Sequence, residues 1–176
     1  MPIFYVVFSR AGKTLTHITF LSLDRNGDPH IAGSAPAKGL TSGVRITFRA
    51  ETGGAPQTLY YFTTDLSDEG IRERPGFLKF CASQNLGMSL LKSASYLMFQ
   101  QGFGTVRDFL LTHSKVVLQD DSGIPVRAFD PAKWDLRLFG TYSTPIDLFK
   151  EHFQPELLDL YNRRRPPPLV FGIGYR

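Results

Sequence analysis

His113, Asp120, Asp121, Ser122 and Asp130 are the densest grouping in this chain of a base, carboxylates and a hydroxyl. By type, a histidine on the apolar stripe of a helix and three nearby carboxylates supply a general base, an orienting acid or metal ligands. Spacing limits how they meet. His113 precedes a short strand and Asp121 follows it, so at about 3.3 Å per residue they stand roughly 25 Å apart unless the chain bends. A triad from these residues alone is therefore not expected. The same residues also suit structural work. Asp121, Ser122 and Gly123 in succession before Ile124-Pro125 favour an Asx-type turn, and a histidine at a helix end favours the dipole and bonds a backbone carbonyl. His113, Asp121 and Ser122 are carried forward as the catalytic candidates.

Four other patterns invite chemistry. Ser89-Leu90-Leu91-Lys92 fits Ser-x-x-Lys, which on a helix sets a hydroxyl one turn from an amine base, as in penicillin-binding enzymes. The pattern is common in a chain with 12 Ser and 7 Lys, its companion motifs Ser-Asp-Asn and Lys-Thr-Gly are absent, and an exposed lysine with a pKa near 10.4 is a poor base. Gly12-Lys13-Thr14 resembles the end of a phosphate loop, but Val7 stands where the first glycine belongs and a strand pattern follows where a helix should begin. Asp24, Asn26 and Asp28 have the alternating oxygens that open a calcium loop, yet Pro29 replaces the required glycine and Ala35 the bidentate glutamate. A hairpin turn explains the same residues. Arg163 to Arg165, followed by three prolines, offer a small basic footprint or a stiff connector held extended by charge repulsion. No pattern calls for a cofactor or a metal.

The elements that must position these residues centre on positions 87–130. Leu90, Leu91, Ala94, Leu97 and Met98 fall on one helical face, which predicts a helix there. Val106, Phe109, Leu110 and His113 predict a second helix, with Thr105 as N-cap and His113 turned toward the core. Residues 115–119 then read as a short β-branched strand.

Before this segment the chain is strand-like. Residues 3–8 are apolar on both faces and predict a central strand. Residues 15–23 predict a second, closed by an Asn26-Gly27 turn. Residues 33–43 are small and loop-like, and residues 44–49 alternate as a half-buried strand with Val44, Ile46 and Phe48 inward and Arg45 and Arg49 outward. Residues 57–64 give a fourth strand, so the start of the chain reads as an antiparallel meander. A polar loop at 65–75 and a short helix at 76–84 follow. Farther on, 134–142 and 169–175 read as strands, and 145–161 as one or two short helices with Pro155 in a first turn. The expected fold is α+β: a mainly antiparallel sheet, joined by the later strands, with helices of about residues 76–113 on one face. One domain spanning 1–176 is the expectation at this length.

Composition narrows the partners. A net charge of +4 with dispersed basic residues does not argue for nucleic acid. The 15 Phe and 7 Tyr suit an aromatic sheet core, or a platform that stacks on sugars or bases. A single cysteine, Cys81, excludes an intrachain disulfide and reads as a buried, unreactive thiol. The apolar run at 3–8 is far shorter than the roughly 20 residues of a membrane span, and it lacks the flanks of a signal peptide.

Several runs carry a resemblance: QTLYYFTTDLS, FLKFC, KSASYLM, VRDFLLTHS, LQDDSGIP, FDPAKW and the closing FGIGYR. Together they resemble the C-terminal part of a bacterial family of uncharacterised exported proteins, over about residues 57–176. The resemblance implies a bacterial source, a periplasmic or extracellular location and a natural chain that extends upstream of Met1; it implies no activity. The expected function is a non-catalytic binding or structural module, envelope-associated, with a protein or carbohydrate ligand. The alternative is a hydrolase that uses His113 with a carboxylate partner from elsewhere in the fold.

Overall fold

The computed structural model describes residues 2–32, 39–93, 95–165 and 172–175. Most of the loop expected at 33–43, Ala94, the prolines at 166–168 and the first residues of the strand expected at 169–175 lie outside them. The described chain is α+β and divides into two compact units, residues 1–65 with 72–80, and residues 66–71 with 81–176.

The first unit opens with helix α1 (Pro2–Arg10), where the sequence suggested a strand. A wholly apolar run fits either element, and packing decides. Phe4 and Phe8, one helical turn apart, share a face that lies on Val44, Ile46 and Phe48. Phe8 meets Phe48 at a ring separation of 4.6 Å and Phe4 meets Tyr61 at 5.3 Å. Gly12, at φ +60°, then ends the helix with a left-handed residue. Strands β1 (Lys13–Leu23), β2 (Pro29–Ile31), β3 (Thr41–Ala50) and β4 (Gln57–Phe62) form an antiparallel sheet in the order β2-β1-β3-β4.

The register pairs Ile18 with Ile46 and Ile46 with Leu59, so this face holds Val44 and Ile46 buried while Arg45 and Arg49 are exposed. The opposite face carries Leu21, Leu23, Tyr60 and Phe62. Phe77 and Phe80 of helix α3 (Gly76–Ser83) pack on it. The turn from β1 to β2 is held by Asp24, whose Oδ1 accepts the backbone N–H of Asn26 at 2.8 Å and of Asp28 at 3.0 Å. It rests directly on α3: a Cβ on Gly76 would stand 1.7 Å from the Asp24 carbonyl oxygen. The calcium-like residues of this turn thus serve as an Asx turn.

Helix α2 (Asp68–Glu73) replaces the polar loop expected at 65–75. Its signal was present in the sequence. Ser67 Oγ accepts the Gly70 N–H at 3.1 Å, and Asp68 and Glu69 occupy the first turn, where the helix dipole favours acids.

The later strands build a second sheet instead of extending the first. Its strands are β5 (Met88–Leu91), β6 (Val116–Gln119), β7 (Asp135–Arg137) and β8 (Gly172–Tyr175), in the order β5-β6-β8-β7. β5 and β6 run parallel, whereas β8 is antiparallel to both β6 and β7. Helix α4 (Gly104–His113) supplies the crossover between the parallel pair, and the Asp68 carboxylate accepts the Thr105 N–H in its first turn at 2.7 Å. Helix α5 (Pro155–Arg164) follows a 3₁₀ segment at Asp147–His152 and has Pro155 in its first turn. The expected extended connector is therefore helical at Arg163 and Arg164, where cations favour the C-terminal dipole. Arg165 ends the helix at φ +42°, the αR conformation being disfavoured before Pro166. Among the described residues no helix is long and apolar enough to cross a membrane.

Candidate functional site

The described residues of 88–98 do not form the expected helix. Residues 88–91 are strand β5 and residues 97–99 a 3₁₀ turn. Pairing with β6 overrides the helical periodicity, because a parallel strand satisfies the backbone along its length while Ser89 and Leu91 turn inward and Met88 and Leu90 outward. Ser89 and Lys92 are consequently not stacked on a helix. Ser89 Oγ lies 2.7 Å from Ser114 Oγ, and the Lys92 ammonium donates to Asp120.

Since β5 and β6 are parallel, the segments that leave their C-terminal ends emerge side by side. Lys92, Ser93 and Tyr96 interlock there with residues 120–122. Lys92 binds the Asp120 carboxylate, the Ser93 N–H donates to Ser122 Oγ at 3.1 Å, and the Tyr96 hydroxyl donates to Asp121 Oδ2 at 2.6 Å. Asp120 Oδ1 also accepts the Ser122 N–H at 3.0 Å and the Ser122 hydroxyl, which closes the expected Asx turn with Asp120 as its acceptor. Burial pushes the Asp120 carboxyl up, but the bonds from Lys92 and Ser122 outweigh it and hold the group below the ordinary 3.8. Just before the turn, Gln119 brackets Ile124, accepting its N–H at 2.8 Å and donating to its carbonyl at 2.7 Å.

Tyr96 takes the left-handed conformation, φ +51° and ψ 38°, which is costly for an aromatic residue and is held by its surroundings. Its ring is buried against His152 at 5.0 Å, Phe149 at 5.1 Å and Phe99 at 5.4 Å. Burial and the bond to Asp121 push its phenol far above the ordinary 10. Gln154, 5% exposed, ties the acidic turn to the rest of the unit: its amide accepts from Val126 N–H at 2.8 Å and donates to the Asp121 carbonyl at 3.2 Å. Its own N–H donates to the Tyr142 hydroxyl at 3.0 Å.

These groups line a cavity of about 430 Å³. Its apolar walls include Val117, Phe129, Leu136, Phe149 and Leu157, and its polar edge includes Lys92, Asp120, Asp121 and Ser143. Tyr142 and Tyr161, whose rings lie 6.0 Å apart, line it as well, and burial raises both phenols above the ordinary 10. The size falls within the roughly 300–1,000 Å³ range of small-molecule sites.

Of the sequence candidates, Asp121 and Ser122 meet at this cavity and His113 does not. His113 is exposed rather than core-facing: its Nδ1 bonds the Phe109 carbonyl at 3.0 Å and its ring stacks on Phe109 at 4.3 Å. Asp130 is spent on a turn, accepting the Ala132 N–H at 2.9 Å. Gly12-Lys13-Thr14 follows a helix and enters β1, so no helix N-terminus faces it. Cys81 is half-buried, and desolvation raises its thiol to about 11. Among the described residues, no group of three or more His, Cys, Asp or Glu is placed to hold a metal ion. Sequence reasoning missed Tyr96, Tyr142, Phe149, Gln154 and Tyr161. The one signal for them was the aromatic richness of the chain, which does not say which rings converge.

No family model matches the chain, and neither the curated proteins nor the solved structures yield a match.

Proposed function

We propose that this protein is a binding module and that the cavity walled by Tyr96, Asp121, Tyr142, Phe149 and Tyr161 is its ligand site. The observation that carries this reading is that several polar groups around the cavity are already hydrogen-bonded within the fold. Asp120 is held by Lys92 and Ser122, Tyr96 by Asp121, and Tyr142 by the Gln154 backbone. Such walls are preorganised, and a ligand entering them loses less free energy to ordering the site. Ser122 is a poor nucleophile in this setting, being 3% exposed and hydrogen-bonded to both Asp120 and Ser93. A hydrolase built on His113 draws no support from an exposed imidazole that bonds its own helix. A bacterial, envelope-associated setting belongs to the same reading and rests on the sequence resemblance alone.

The test is a fragment screen followed by amide chemical-shift mapping on the full chain. Hits are expected to perturb Tyr96, Asp121, Ser122 and Tyr142 together. Hits that scatter over the first unit, or turnover of ester or amide probes that is lost in His113→Ala, would overturn the reading.

A further inference from the structure

We infer that the ligand carries a positive charge, an organic ammonium group held between the Asp121 carboxylate and the aromatic walls of the cavity; this rests on the cavity being the ligand site. Four charged groups at the edge of the cavity or beside it cancel in pairs. Lys92 binds Asp120, and Arg137 binds Asp135 at 3.4 Å. Both cations are largely exposed, at 71% and 62% of their side-chain surface, so they sit at the rim and not among the aromatic walls. Asp121 is left over. Among the described residues its carboxylate has a hydrogen bond from the Tyr96 hydroxyl and no cation against it.

The rings around it are arranged to leave that charge available. The Tyr161 hydroxyl donates to the Phe139 carbonyl at 2.8 Å and the Tyr142 hydroxyl accepts the Gln154 N–H, and among the described residues neither is hydrogen-bonded to Asp121. Both tyrosines nevertheless feel its negative charge, which adds to burial in raising their phenols. The rings of Tyr96, Tyr142, Phe149 and Tyr161 line the same space.

Aromatic faces attract cations through the ring quadrupole, most strongly where water is excluded. An aliphatic ammonium would gain those faces and the carboxylate at once. A neutral sugar would stack on the rings but leave the carboxylate desolvated without a counter-charge, and an anion would be repelled by it.

The experiment titrates the full chain by calorimetry with choline, with its uncharged carbon isostere dimethylbutanol, and with a neutral disaccharide. The single Trp134, whose ring lies 5.3 Å from that of the cavity residue Phe129, gives an independent fluorescence signal. Choline is expected to bind about tenfold or more tighter than dimethylbutanol. That preference should vanish in Asp121→Asn, whose amide oxygen can still accept the Tyr96 hydroxyl. Phe149→Leu should weaken choline several-fold and dimethylbutanol little, a comparison that keeps the test sound if the Asp121 variant misfolds. Equal or tighter binding of dimethylbutanol or the disaccharide, mapped to the cavity, would overturn the cationic ligand and leave the binding module standing. Failure of all three compounds to perturb Trp134 or the cavity amides would count against both.

Discussion

Ser122 shows how a residue typed for chemistry is committed to structure. Its hydroxyl donates to Asp120 and accepts from Ser93, which uses it on both sides. Ser89 is committed in the same way to Ser114, and the amine that spacing would assign to it lies on Asp120 instead. A penicillin-type acylating probe should therefore leave no adduct on Ser89. Mass spectrometry that found one, lost in Lys92→Ala, would restore the nucleophile reading. Asp120 allows a test in the other direction. Its folded pKa lies below its ordinary value, so its contribution is present above the unfolded pKa and is lost as pH falls through the folded one. Because Lys92 is mostly exposed, that contribution is no more than about 1 kcal/mol. Wild type should exceed Asp120→Asn in stability at pH 6, and the gap should close on titration below the ordinary 3.8. A gap that persists or widens in acid would assign the stabilisation to something other than the carboxylate.

At the scale of elements, legibility followed the kind of periodicity. Strand β3 was readable because apolar and charged residues alternate, and only one register buries the apolar set. Ile46 is 0% exposed while Phe48 is only partly covered, so the two residues should differ under truncation. Ile46→Ala is expected to cost about 2–5 kcal/mol, and Phe48→Ala less than its usual share because part of that ring already meets water. Urea midpoints that ranked Phe48→Ala as the more damaging would contradict this packing. Segments 3–8 and 88–98 were misread for opposite reasons. The first has apolar residues at every position and therefore no period; its state is set by Phe4 and Phe8 finding the sheet. The second has a good helical period, yet Gly87 accepts from the N–H groups of both Lys115 and Val116 at 3.0 Å and starts a parallel ladder that no local pattern announces. Parallel pairing is a long-range event, and single-sequence periodicity carries only local information.

For the molecule as a whole, the α+β class was legible from the order of strands and helices, whereas the cavity was not. Its walls come from the acidic turn, from residues after β5 and from residues 136–161, stretches joined by side-chain bonds between positions 25 to 33 apart in sequence. The first unit is held by aromatic and aliphatic packing on two sheet faces. Around the cavity, hydrogen bonds also join distant stretches, and Gln154 makes three of them, to Val126, Tyr142 and Asp121. Removing its amide takes the partner from two backbone groups, the Val126 N–H and the Asp121 carbonyl, beside a side chain that is 5% exposed. Each stranded group costs about 1–3 kcal/mol, so Gln154→Ala should lose roughly 2–6 kcal/mol, with the lower figure applying if water enters the space. Gln154→Glu separates the two bonds. A carboxylate keeps an acceptor for Val126 but cannot donate to the Asp121 carbonyl, and it adds negative charge near Asp121, whose carboxylate has no cation against it among the described residues. Its deficit should therefore shrink as the medium is acidified and the new group takes up a proton, whereas the deficit of Gln154→Ala should not follow that course. Denaturant unfolding of both variants at neutral and mildly acidic pH reads the difference, and equal pH responses would mean that Gln154 acts by filling space and not by joining the acidic turn to Val126.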